Sequence, residues 1–181
     1  MKEHNGSKEI KLQNFDICIE RMKAHMVADE LVRGVGFEDG KGCAVGCTFD
    51  EYDHYLFQNL LGVPEWMARI LDSIFEGMDL EKSKTFPLLF LEASKAAVER
   101  EADLDQIESP FMFCILEDTL NNFDKVKFAD VAKCVNDVID LYKSCETDLR
   151  KFDAAARASW AAADAAHDNR WNRPCINGML T

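Results

Sequence analysis

Five glycines between positions 34 and 46 (Gly34, Gly36, Gly40, Gly42 and Gly46) interrupt a chain that otherwise carries helical spacing along most of its length. Glycine has no Cβ and loses more backbone freedom on ordering than any other residue, so this density defeats a long helix or strand. Residues 34–49 are therefore expected to form one irregular, Gly/Cys-rich loop, and the rest of the fold has to be built from helices on either side of it.

Before the loop, Phe15, Ile19, Met22, Met26 and Leu31 recur at helical steps, which predicts a first amphipathic helix from Phe15 to Val32. Asn14 or Asp16 would cap it and Gly34 would stop it. After the loop, Thr48 or Asp50 could cap a short helix that runs to Leu61 and stops at Gly62. Pro64 then suits the first turn of a helix reaching Phe75, before Gly77. Pro87 is tolerable only near a helix start, which places the next helix from about Phe86 to Val98. A polar connector at 99–105 leads to Ser109-Pro110, a helix-start signal, and to a segment apolar on nearly every side, which is expected to be the most buried helix. Val126 to Tyr142 keeps helical spacing, and the alanine-biased run Phe152–His167 has the highest intrinsic helix propensity. The expectation is an all-α, single-domain bundle of about six or seven helices over 1–181. Its Ala-rich C-terminal helix at 150–168 lies against the body through Trp160, and 169–181 is a loose tail. A contact with a second chain through the same alanines, giving a homo-oligomer, is the alternative.

Composition narrows the function classes. A length of 181 residues with 48% hydrophobic and 30% charged residues fits one core of ordinary size. Met1–Glu9 has no apolar h-region, and no stretch approaches the ~20 apolar residues that span a bilayer, so neither export nor a membrane role is expected. Seven cysteines make an odd set, and four (Cys18, Cys114, Cys134 and Cys145) fall among apolar helical positions, which fits reduced thiols in a cytoplasm. A net charge of −12 argues against direct nucleic-acid binding, which depends on clustered Lys and Arg. The same charge suits a partner with a basic surface.

Chemistry concentrates in Cys43-x3-Cys47-x6-His54. Two cysteines and an imidazole are zinc-ligand types, so Cys43, Cys47 and His54 form a candidate metal set, with His25, His167 or Cys175 as a fourth ligand from afar. Alternatively, Cys43 or Cys47 is a nucleophile with its thiol activated by loop N–H groups, His54 or His25 is its base, and Glu30, Asp29 or Glu38 helps. Gly40, Lys41, Gly42 and Gly46 could form an N–H nest for a small anionic ligand. They are not a Walker A loop, because Gly42 follows Lys41 where Ser or Thr is needed. Neither Cys-x5-Arg nor Gly-x-Ser-x-Gly occurs, and the paired acidic motifs of helical pyrophosphohydrolases are not clearly present. The plainer account makes the glycines a tight turn, the cysteines gap fillers and His54 an ordinary hydrogen-bonding residue. For His25, Asp29 and Glu30 it gives a solvated polar edge beside the Met22/Met26 stripe.

The strings His25-x3-Asp29-Glu30-x-Val32-x-Gly34 and Gly40-Lys41-Gly42-Cys43-Ala44-Val45-Gly46-Cys47-Thr48 resemble a group of bacterial and phage proteins that has no assigned activity. The likeness continues through His54, Leu61-Gly62-Val63-Pro64-Glu65-Trp66-Met67-Ala68-Arg69 and Asp72-Ser73-Ile74-Phe75-Glu76-Gly77. It covers roughly 22–92, and Ala154–Ala166 resembles the alanine-rich C-terminal region of those proteins in shortened form. The resemblance implies a phage or bacterial origin, with a cytoplasmic location that is the host's if the chain is phage-encoded, and it directs attention to the loop and to His25 and Glu30. The expected function is a binding or regulatory protein that recognises a small anionic ligand or inhibits a host protein. A Cys/His-dependent enzyme, with or without zinc, is the rival.

Overall fold

The computed structural model describes residues 3–122, 124–127, 129–144, 151 and 154. Among them the chain is mainly α-helical, with seven α-helices and one two-stranded hairpin. These are α1 (Glu3–Ala28), β1 (Phe37–Glu38), β2 (Lys41–Gly42), α2 (Ala44–Phe49), α3 (Glu65–Gly77), α4 (Leu80–Ser83), α5 (Phe86–Glu99), α6 (Glu108–Asn122) and α7 (Ala129–Lys143). Packing divides the chain into two compact units, one ending at Leu104 and one beginning at Asp105. None of the described helices is long and apolar enough to cross a membrane. The expected helix at 150–168, Trp160 and the tail at 169–181 lie outside the described residues, apart from Ala154 and Lys151.

α1 differs from expectation at both ends. It starts at Glu3 because nothing in 3–14 breaks a helix outright, and this half escapes a periodicity search because Ile10 and Ile17 face solvent. It ends at Ala28 rather than Val32, because Asp29 takes a left-handed φ of 55°. Asp29 N–H bonds to Met26 C=O at 3.3 Å and Glu30 N–H to His25 C=O at 3.0 Å. This is the Schellman pattern, here with an aspartate where glycine is usual. Glu101 closes α5 in the same way, at φ 56°.

The loop folds into a hairpin in which Phe37 pairs with Gly42 and Glu38 with Lys41. Asp39 and Gly40 connect the strands at φ 51° and 78°, the positive values a two-residue hairpin turn of the I′ type needs. α2 begins at Ala44, so Thr48 lies inside it and Asp50 ends it at φ 58°, correcting the N-cap role expected for both. The expected helix from 48 to 61 is replaced by an irregular segment and a single π-type turn over Phe57–Leu61. Pro64 precedes α3 and Pro87 lies in the first turn of α5, as the spacing of breakers suggested.

Phe15, Met22, Phe57, Leu71, Phe75 and Leu91 are among the fully buried side chains at the centre of the first unit, with α2 packed between α1 and α3. Three ion pairs, Lys8–Glu101 (2.9 Å), Asp16–Lys95 (2.6 Å) and Asp29–Lys84 (3.2 Å), advance along α1 as they retreat from the end of α5 to just before it. The two helices therefore run antiparallel.

In the second unit, α6 and α7 share a small cluster of Leu120, Ala132 and Ile139, with Phe113, Leu116 and Val135 against it. α6 is not the most buried helix: Leu120 is its one buried residue among those described, and Phe111 and Ile115 are exposed. A helix that is apolar all round is covered only where a neighbour exists, and α7 covers one side.

Candidate functional site

Two side-chain clusters flank α2. The first joins the ends of α1 and α2. The Schellman turn places Glu30 beside His25, whose Nδ1 is 2.7 Å from Glu30 Oε2, while Nε2 is 2.9 Å from Asp50 Oδ1. The left-handed backbone at Asp50 brings its carboxylate back onto α1, where Arg21 Nε meets Oδ2 at 2.7 Å and Arg21 Nη1 donates to Thr48 C=O at 2.8 Å. His25 is buried, not part of a solvated edge, and the edge of its ring meets Phe37 at a centroid distance of 6.0 Å. Asp29, by contrast, is exposed. Both ring nitrogens thus face carboxylates, and with the Arg21–Asp50 ion pair they form a clamp between helix ends. His25→Gln is expected to cost about 2 kcal/mol, below the full penalty for breaking a buried pair because both carboxylates are partly solvated. The urea midpoint reads this directly, and an unchanged midpoint would mean that the clamp adds nothing.

The second cluster centres on Asp72, on the edge of α3 next to the buried Leu71. Tyr52 Oη donates to Asp72 Oδ2 at 2.8 Å, and His54 Nε2 lies 3.5 Å from the same oxygen. Burial alone would raise the Asp72 carboxyl, but interactions with His54, Cys43 and Tyr52 outweigh it and hold the group below its ordinary value. Asp72 Oδ1 is buried with no group at hydrogen-bonding geometry among the described residues. One turn on, Glu76 accepts the Gly34 N–H at 2.9 and 3.0 Å, and its carboxyl is pushed up, first by burial.

These clusters separate the residues that sequence spacing grouped. Cys43 faces Asp72, whereas Cys47 lies on the other side and directs its thiol at Gly42 C=O (3.4 Å) and, at 3.8 Å, Glu30 C=O. His54 goes to Asp72. Cys43, Cys47 and His54 therefore do not converge as a metal set, and no group of three His, Cys, Asp or Glu among the described residues is disposed to hold an ion. His167 and Cys175 lie outside the described residues.

Cys43 and His54 both interact with Asp72, while Cys47 turns to backbone carbonyls. Burial drives the Cys43 thiol far above its ordinary value, with the Asp72 charge acting in the same direction, and pushes Cys47 up to about 12. A nucleophilic cysteine needs the opposite field. Of the N–H groups expected to form a nest, that of Gly42 bonds to Glu30 C=O at 3.1 Å, and in the same loop Cys43 N–H bonds to Val35 C=O at 2.8 Å and Cys47 N–H to Cys43 C=O at 2.9 Å. Gly40 and Lys41 sit exposed at the hairpin turn, and Gly42 and Gly46 are buried so close to Gly36 that a Cβ on either would strike its carbonyl.

Sequence reasoning missed Arg21, Asp50 as a clamp partner, Tyr52 and Asp72. Arg21 carried a usable signal, four residues before His25 on the same helix face. Comparison with protein families, with characterised proteins and with solved structures finds no match to this chain.

Proposed function

We propose that this chain is a binding or regulatory protein that acts on a protein partner, with the host cytoplasm as its setting and a bacterial or phage origin, as the likeness at 22–92 suggests. What supports the reading is that the loop's chemistry is spent inside the fold. Cys43 and Cys47 are buried with their thiols driven up, His25 is held at both nitrogens by carboxylates, and the N–H groups of Gly42, Cys43 and Cys47 are bonded to backbone oxygens. The loop then serves as a rigid scaffold, which favours recognition through the surface over turnover at a thiol and leaves little for an anion to bind.

Alkylation of the native chain at pH 7.5, mapped residue by residue, tests this. Exposed Cys114 is expected to label promptly, and Cys43 and Cys47 only at the rate at which the first unit opens. Prompt, selective labelling of Cys43 or Cys47 would replace the binding reading with the Cys/His enzyme, and about one zinc per chain lost in both Cys43→Ser and Cys47→Ser would make the cluster a metal site and remove the scaffold argument.

A further inference from the structure

We infer that the segment from Glu51 to Leu60 is the recognition surface of this protein and that its occupant is an arginine-bearing face of a protein partner. This rests on the binding reading above and supplies its surface and its partner chemistry.

The segment exposes apolar side chains while being held rigidly. Tyr52 and Tyr55 are 49% and 57% exposed and Leu60 is 41% exposed, within nine residues of one another. Their backbone is fixed from beneath. Phe57 is fully buried with its ring edge-on to Phe49 at 5.0 Å and to Phe90 at 6.2 Å, Tyr52 is tied to Asp72, and Asn14 Nδ2 donates to Leu60 C=O at 2.9 Å. A tyrosine tied down like Tyr52 provides contact area at little entropic cost, the usual character of an interface anchor.

Charge selects the occupant. Between 50 and 60 the chain has three acidic residues and neither Lys nor Arg. Asp50 is paired with Arg21 and touches His25, but Glu51 and Asp53 form no ion pair among the described residues, and Asp53 Oδ1 turns back to accept the Tyr55 N–H at 2.8 Å. Uncompensated carboxylates beside exposed aromatic rings suit a guanidinium, which can pair with a carboxylate and stack on a ring at once, better than a compact, strongly hydrated ammonium. The net charge of −12 disfavours nucleic acid or an anionic membrane at this face.

The probe is a synthetic peptide of alternating arginine and glycine, titrated into the full chain with backbone amide shifts as readout, beside a lysine–glycine counterpart. Shifts confined to 51–60, and affinity about tenfold weaker in Tyr55→Ala and in Glu51→Lys, are expected, with Glu9→Lys as the charge-matched control unchanged and the lysine peptide weaker. Equal weakening by Glu9→Lys, or shifts spread over all acidic surfaces, would overturn the assignment in favour of diffuse attraction. Shifts at Tyr55 and Leu60 that grow with protein concentration alone would overturn it in favour of a second copy. If the peptide misses the segment while Cys43 and Cys47 stay protected from alkylation, the surface assignment falls and the binding reading stands. Promptly labelled thiols would remove the binding reading itself.

Discussion

Gly46→Ala is expected to lower the unfolding free energy by about 3 kcal/mol, although alanine is the better helix former by about 1 kcal/mol. Gly46 lies in α2, and a methyl there would drive into the Gly36 carbonyl and against Phe37 Cβ. The Tyr52 ring also packs closely on Gly36, since a Cβ built there would lie 2.7 Å from Tyr52 Cγ. A shift of Gly36 toward that ring would therefore disturb the Tyr52–Asp72 hydrogen bond. Two other glycines calibrate the effect. Gly34 has open space around its Cβ position but a φ of +77°, so Gly34→Ala should cost about 1 kcal/mol for the left-handed backbone alone. Gly77 ends α3 with nothing near its Cβ position and no positive φ, so Gly77→Ala should stabilise by about 0.5 kcal/mol. Urea unfolding of the three variants should give midpoints in the order Gly77→Ala, parent, Gly34→Ala, Gly46→Ala. A Gly46→Ala protein as stable as the parent would mean that the close approach of Gly36 to α2 is wrong.

These glycines also show what a sequence discloses. The glycine density in 34–46 announced a break between long helices, because backbone entropy and missing side chains act locally, but the segment itself forms a hairpin and opens α2, with Gly46 inside that helix. Which glycine is required by contact and which by φ depends on Tyr52 and Gly36 meeting in space, and no local pattern carries that. Helix existence was legible wherever apolar spacing and a breaker agreed, as at Pro64 before α3 and Pro87 in α5. The ends at Gly62 and Gly77 were legible as well, but those of α1 and α2 were not, because Asp29 and Asp50, like Glu101 after α5, adopt the left-handed conformation that a reader assigns to glycine. The burial of α6 was overestimated for a related reason. Apolarity on all sides tells how much a helix could bury, and neighbouring elements decide how much it does.

The candidate site divides along the same line. His25 and Glu30 were found together because they are five residues apart, within one helix end. Arg21 Nε to Asp50 and Tyr52 to Asp72 span twenty residues or more, and their geometry depends on how α2 sits between α1 and α3. Grouping Cys43 with Cys47 by their spacing misled for a physical reason: four residues apart across the start of α2, one side chain reaches toward α3 and the other toward the turn that follows α1. Chelation requires convergence, and α2 supplies divergence.

Asp72→Asn is the sharper test of the second cluster, since it changes charge and hardly changes shape. At pH 7 the variant should lose about 2–3 kcal/mol, because Tyr52 and His54 give up a charged acceptor in a largely buried place and the new amide brings protons toward groups that already donate. The sign of the pH dependence follows from the direction of the shift. Burial, the largest single influence, favours the neutral acid, but the interactions with His54, Cys43 and Tyr52 together prevail, so the folded carboxyl lies below its ordinary value of 3.8. The unfolded chain then takes up the proton more readily. The contribution of Asp72 is complete above that ordinary value and disappears as pH falls through the lower folded one. Thermal midpoints of parent and Asp72→Asn should therefore differ most near neutrality and approach each other below about pH 4. Glu76, raised by burial, contributes with the opposite sign and feels the Asp72 charge, so the comparison is repeated with Glu76→Gln in both proteins. A gap that stays constant from pH 7 to pH 3 in that background would mean that Asp72 acts by shape alone and that its charge holds neither Tyr52 nor His54. A closing gap would place the charge of Asp72 beneath the same tyrosine that borders the recognition segment, joining the buried cluster to the surface it supports.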